Sequence, residues 1–173
     1  MTSHARRRSD IPVASRFFTV AAGDESFGLP VDNVQTVFRI GAVTPVPLGP
    51  REVVGLVNLR GKIVTSVSLR RRLQLPEAGP ALGALAVGLD FRGESFALIV
   101  DRVGDVITLP ETARIATPSH IEPARARLTA AVFRVADGVL AVLDLAAIFE
   151  FGVVSDNRSP LHDAFSAPQE NRP

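Results

Sequence analysis

The chain has no cysteine, no tryptophan and no tyrosine. Without cysteine it has no disulfide, no thiol nucleophile and no thiolate-held zinc or iron–sulfur cluster. It has three histidines, His4, His120 and His162, far apart and without H-x-x-x-H or H-E-x-x-H spacing. Imidazole metal chemistry therefore has no framework. G-x-S-x-G, P-loop and G-x-G-x-x-G signatures are missing too, so the common catalytic and nucleotide-binding motifs are not written here. Lysine is almost absent: Lys62 is the only one, and arginine supplies the remaining positive charge. No apolar run approaches the roughly 20 residues that span a bilayer. The basic start, MTSHARRRSD, is not followed by the apolar stretch of a secretory signal. The formal net charge is +1, which gives no whole-chain attraction to nucleic acid or to an anionic membrane.

What is present is a long supply of core material. Hydrophobic residues make up 46% of 173 positions, enough for one domain or two small lobes sharing a core. Residues 1–14 are polar and Arg-rich, and 154–173 are polar and Pro-bearing; both are expected to be disordered tails. The ordered part is expected over 15–153. There, Val-, Ile-, Leu- and Phe-rich runs are cut by Gly, Pro or Asp about every ten residues, which is an all-β pattern. Phe17–Ala21, a turn at Gly23–Glu25, and Phe27, Leu29 and Val31 on one face read as a hairpin. A further strand passes Val37 and Ile40. Val43–Pro50 holds three prolines and reads as an extended loop. Gly55–Leu59, a turn at Arg60-Gly61-Lys62, and Ile63–Val67 read as a second hairpin.

One phrase is written twice. Residues 25–37 and 94–106 both follow E-S-F-x-L-x-V-D-x-V-x-x-V. Identities fall at every second place and then at every third, so a strand gives way to a tight turn at Asp32 and Asp101, where a carboxylate can cap free N–H groups. The 55–69 hairpin also resembles 131–145, and each runs into a short helical segment capped by Ser68 or Asp144. The pseudo-repeat spans about 17–73 and 84–150. Each copy is expected to make one small five-stranded barrel, and the two to pack side by side.

Chemistry is sparse in this frame. Because Asp32, Asp101 and Asp144 sit at turns and caps, they read as structural acids, not a catalytic pair. The runs Arg6–Arg8 and Arg70–Arg72 lack aromatic stacking partners and read as solvated faces, not a nucleic-acid surface. Arg60 differs. It sits at the tip of a hairpin, where its fork of donors can grip a partner's carboxylate.

The stretch Gly55-Leu-Val-Asn-Leu-Arg-Gly-Lys-Ile-Val resembles the G-x-x-N-L-R-G segment of CheW-like domains. Val31-x-x-Val34-x-x-Val37, the Thr44-Pro45-x-Pro47 loop, Val100-Asp101-x-Val103-x-x-Val106 and Leu143-Asp144-Leu145 support it, over about 17–150. The resemblance implies two SH3-like five-stranded β-barrels with short helical turns. It implies a cytoplasmic, non-catalytic adaptor without cofactor, recruited to membrane-associated receptor arrays. Its implied partners are the regulatory domain of a CheA-type histidine kinase and a chemoreceptor's cytoplasmic tip; nucleic acid and direct membrane insertion are not among them. Carried over by position, the contact residues are Val31, Val34, Val43, Gly55, Asn58, Leu59, Arg60, Val103 and Val106. Thr36, Thr65 and Ser68 stand where many members have Glu, Pro and Asp, which leaves open service in a non-flagellar pathway, such as pilus-based motility.

Overall fold

The computed structural model describes residues 14–151. Apart from Ala14, which opens the first strand, the expected tails lie outside the described residues, as do His4, His162 and Arg6–Arg8. The chain runs β1 (Ala14–Ala22), β2 (Glu25–Pro30), a 3-10 turn at Val31–Asn33, β3 (Val34–Arg39), β4 (Val53–Leu59), β5 (Lys62–Ser68) and α1 (Leu69–Arg72). It continues with β6 (Leu85–Phe91), β7 (Glu94–Val100), β8 (Arg102–Pro110), a 3-10 turn at Glu111–Ala113, β9 (Arg114–Ile115), α2 (Pro123–Arg127), β10 (Thr129–Val135), β11 (Gly138–Leu143) and α3 (Leu145–Phe149). The expected caps are present: Ser68 Oγ accepts from Arg71 N–H and Asp144 Oδ1 from Ala147 N–H. Helix α2 was not anticipated; its one legible signal is Pro123 at the first turn.

The strands form two sheets, as expected of an all-β, two-lobed chain, but each copy of the repeat does not build its own. One sheet has the order β8-β1-β2-β11-β10-β9 and the other β3-β6-β7-β5-β4. Under the repeat, β1, β2, β3, β4 and β5 correspond to β6, β7, β8, β10 and β11. The two orders are then the same order with the hairpins β1–β2 and β6–β7 exchanged. Each exchanged hairpin is joined by a parallel ladder: Ala141 and Val142 of β11 against Phe27 and Gly28 of β2, and Thr65–Ser68 of β5 against Phe96–Ile99 of β7.

The duplicated V-D-x-V phrase marks where this happens. The chain leaves the six-stranded sheet between β2 and β3, at Val31–Asn33, and returns to it between β7 and β8, at Asp101. The change of period from two to three is thus the crossover between sheets, which explains why Phe27 and Leu29 are buried while Val31 drops out of the alternation.

Alternation along the strands sorts side chains between three cores. In β7, Leu98 and Val100 face a cluster shared by both sheets, while Ala97 and Ile99 face one inside the five-stranded sheet. In β1, Phe18, Val20 and Ala22 join the shared cluster and Phe17 joins Phe133 and Val142 in the six-stranded sheet. The shared cluster also takes Leu69 and Leu73 beside α1 and Leu145, Ile148 and Phe149 of α3. Burying large side chains from both sheets in one cluster makes separate lobe unfolding costly, at about 1.5–3 kcal/mol per side chain exposed.

Gly55 holds the loop against the edge of the five-stranded sheet. Thr44 and Leu56 exchange backbone hydrogen bonds of 2.9 and 2.8 Å. A Cβ on Gly55 would lie 2.5 Å from Thr44 O and 2.7 Å from Val43 Cγ1, with φ at +157°. Gly55→Ala is therefore expected to lose about 2–4 kcal/mol of stability through clash and backbone strain. Urea unfolding followed by circular dichroism measures this; an unchanged midpoint contradicts it.

Candidate functional site

Three groups of residues carry what the sequence singled out. The first lies on the β4–β5 hairpin and the loop beside it. Asn58 Oδ1 accepts from Gly61 N–H at 2.8 Å, and Arg60 and Gly61 take φ values of +52° and +82°. The asparagine side chain thereby closes a tight turn whose backbone twist suits the flanking strands. Arg60 is exposed at its apex and, among the described residues, has no ion pair or side-chain hydrogen bond. Gly55 and Leu59 are buried, so they support the turn and the loop from beneath and have little surface for direct contact with a partner. Val43 is half-buried against the inner core of the same sheet.

The second group is Val31 and Val34, half-buried at the first crossover and at the start of β3. The third is Val103 and Val106 on β8, 36% and 48% exposed. Strands β3 and β8 each stand at one end of their ladder. Val37, on β3, is 39% exposed. It is the repeat counterpart of Val106 and belongs with this set, although it is not among the positions carried over from the family; the repeat itself is the signal that finds it.

The run Arg70–Arg72 is not a solvated face, contrary to expectation; each side chain is engaged. Arg70 Nε donates to both Asp101 oxygens at 2.9 and 3.0 Å, and Nη1 to Pro76 O at 2.6 Å. Asp101 Oδ2 also accepts from Gly23 N–H at 2.6 Å. Turn capping by Asp101 therefore occurs across the sheets, on the β1–β2 turn. Its repeat counterpart does not behave alike: Asp32 is exposed and, among the described residues, its carboxylate accepts no hydrogen bond. Arg71 pairs with Glu77 and donates to Arg51 O at 3.1 Å. Arg72 reaches α3, donating to the carbonyls of Ile148 at 2.8 Å and Ala147 within it and of Glu150 at 2.9 Å just beyond. Burial lowers the Arg72 pKa from its usual value, opposed by Glu52.

The Arg70 hydrogen bonds hold the Asp101 carboxyl below the ordinary carboxylate range, with help from Gly23 N–H and the charges of Arg70 and Arg102; burial opposes the shift. A carboxylate depressed in the folded state contributes stability above its unfolded pKa, near 3.9, and that contribution is lost as pH falls through the lower folded value. Stability is accordingly expected to drop as the solution is acidified below about pH 4, and Asp101→Asn to flatten that part of the profile. Equal acid slopes for the two chains in urea titrations contradict this.

A recess of about 900 Å³ is lined by Arg51, Glu52, Arg71, Arg72, Glu77 and Arg127 among others. Its acids, Glu52, Glu77 and Glu150, lie among the arginines Arg51, Arg71, Arg72 and Arg127. Among the described residues no three His, Cys, Asp or Glu cluster as metal ligands, and no helix is long and apolar enough to cross a membrane.

The model of the CheW-like domain family matches residues 16–152. The chain is 28% identical over 157 residues to the chemotaxis protein CheW of Treponema pallidum, covering 86% of this chain and 91% of that one. It is 25% identical over 114 residues to CheW of Bacillus subtilis, covering 66% and 73%. The crystal structure of the scaffolding protein TtCheW from Thermoanaerobacter tengcongensis superposes with a TM-score of 0.71 at 23% identity, over 81% of this chain and 95% of that one.

Proposed function

The chain belongs to the CheW-like domain family, and from that premise we propose that it is a non-catalytic adaptor that couples chemoreceptors to a CheA-type histidine kinase in bacterial chemosensory signalling. The observation that carries this reading is the family match over nearly the whole described chain, and two separate sets of exposed residues suit the role. One is the Asn58–Gly61 tip, whose guanidinium is unpaired among the described residues. The other is the exposed valines of the end strands β3 and β8. A coupling protein needs two such faces, because it must hold two partners at once.

In this reading the Arg60 tip addresses a carboxylate on the kinase regulatory domain. Val31, Val34, Val37, Val103 and Val106 supply apolar surface to the receptor tip. Val43, Gly55 and Leu59 act from beneath, by holding the hairpin and its loop in register. The same reading has the adaptor act in the cytoplasm, at receptor arrays on the membrane.

Purified chain is expected to bind the regulatory domain of its own organism's CheA saturably, and to co-sediment with receptor-bearing membranes only when receptor is present. Failure to bind any CheA regulatory domain or receptor of that organism overturns the reading.

A further inference from the structure

Leu48 combines two costs that a soluble protein ordinarily avoids. Its relative exposure is 106%, so the side chain stands fully in water. Its φ is +57°, a backbone region that penalises every residue with a bulky side chain. Glycine or asparagine would fit the position without that penalty. The apex is held by Gly49 N–H donating to Val46 O at 3.3 Å and Val53 N–H to Pro50 O at 3.0 Å. Pro45, Pro47 and Pro50 limit the loop's other conformations. Val46, 40% exposed, lies beside it. Arg51, three residues on, is exposed and, among the described residues, its guanidinium has no acidic partner.

A stiffened loop that presents one leucine to water, next to an exposed guanidinium, has the chemistry of an interface anchor. Pre-organisation removes the ordering cost of binding, and an apolar side chain entering a pocket contributes more than its rim contacts. One leucine and a half-exposed valine offer too little apolar area for stable membrane attachment. The occupant is therefore a protein with an apolar pocket bordered by carboxylates.

The loop's position on the sheet selects among partners. It is bridged to β4 through Thr44 and Leu56, and β4 stands at the end of its ladder. The Arg60 tip closes the far end of β4, and Leu48 flanks the near end, about 20 Å away at the usual rise per residue. The two anchors thus mark the ends of one strand edge. Resting on the adaptor reading above, we propose that the Val46–Arg51 loop is the second anchor of the kinase-facing edge. Leu48 fills an apolar pocket on the regulatory domain and Arg51 pairs with an acid at its rim.

The test measures binding of the full chain to the purified CheA regulatory domain by calorimetry, beside thermal unfolding of each variant. Leu48→Gly and Leu48→Asn are expected to raise the melting temperature or leave it unchanged, because the strain at φ +57° is relieved. Both are expected to weaken the complex about 10- to 30-fold. A purely structural role for Leu48 cannot produce that opposition of signs. Arg51→Glu is expected to weaken the complex as well. A complex that Arg60→Glu weakens and both Leu48 variants leave intact overturns this inference and keeps the adaptor reading. No complex with the parent chain overturns both. Leu48-dependent binding to phosphatidylserine vesicles, with kinase affinity unchanged, also overturns it.

Discussion

Arg72→Met is expected to lose about 3–5 kcal/mol of unfolding free energy, the largest single loss of stability anticipated for any surface-reaching residue here. Methionine preserves the apolar stem and removes every donor. The last carbonyls of a helix have no partner within the helix. In α3 the carbonyls of Ala147 and Ile148, together with that of Glu150 just beyond, are satisfied by one guanidinium from α1. Hydrogen bonds to a charged donor contribute about 1.5–3 kcal/mol each, and a carbonyl left dry costs about 1–3 kcal/mol. Partial rehydration of the exposed member, Glu150, sets the total below the simple sum. Glu52 lies 3.8 Å from Nη1, and the guanidinium sits 5.4 Å from the Phe151 ring centroid, so part of the charge's compensation is lost with it. Arg72→Lys, a point donor without the fork, is expected to recover less than half of the loss. Urea unfolding measures both. A midpoint within error of the parent's, at an unchanged slope, contradicts the assignment.

The repeat explains why this bridge was hidden. In the second copy the positions of Arg70, Arg71 and Arg72 are held by Ala146, Ala147 and Ile148. Each copy read alone shows a short capped helix, and three arginines beside it look like a wet face. Only the exchange of hairpins brings α1 and α3 against one shared core, and the exchange rests on pairings such as Thr65 with Phe96, between segments with no periodicity linking them. Local features were legible: the caps at Ser68 and Asp144, the Gly61 turn, the loop of prolines. The alternation that sends Leu98 inward one way and Ala97 the other was also legible, but not which sheet each face would meet. The exposed valines on β3 and β8 could be located by the repeat, while the strain at Leu48 is a property of backbone angles that no residue pattern announces.

The second large effect is on association. Arg60→Glu is expected to weaken binding to the CheA regulatory domain by about 2–4 kcal/mol, roughly 30- to 1,000-fold. Among the described residues, the parent tip presents a guanidinium without a competing intramolecular acid. Reversal replaces attraction by repulsion and leaves the partner's carboxylate facing a like charge. Glutamate meets the same φ of +52° at the apex, so the fold is expected to unfold at nearly the same temperature. Arg60→Gly separates the two contributions: it removes the charge and also relieves the turn, and should weaken binding less than the glutamate does. Added salt should narrow the gap between parent and Arg60→Glu, as screening reduces the charge contribution. Equal affinities of parent and Arg60→Glu at low salt would remove Arg60 from the interface.

The two crossovers at Val31–Asn33 and Asp101 have a consequence for how the chain is born. All five strands of one sheet lie between Val34 and Val100 and emerge from the ribosome in one block. The hairpin β1–β2 emerges first, yet its neighbours arrive last: β8 after Arg102, and β11 only with Ala141 and Val142. At about 5–20 residues per second, the nascent hairpin waits on the order of 6–20 s with Phe27 and Leu29 lacking their final cover. Synthesis is therefore vectorial in time but not in space: the five-stranded sheet is finished first, and the strands on either side of it in the sequence then pair with each other.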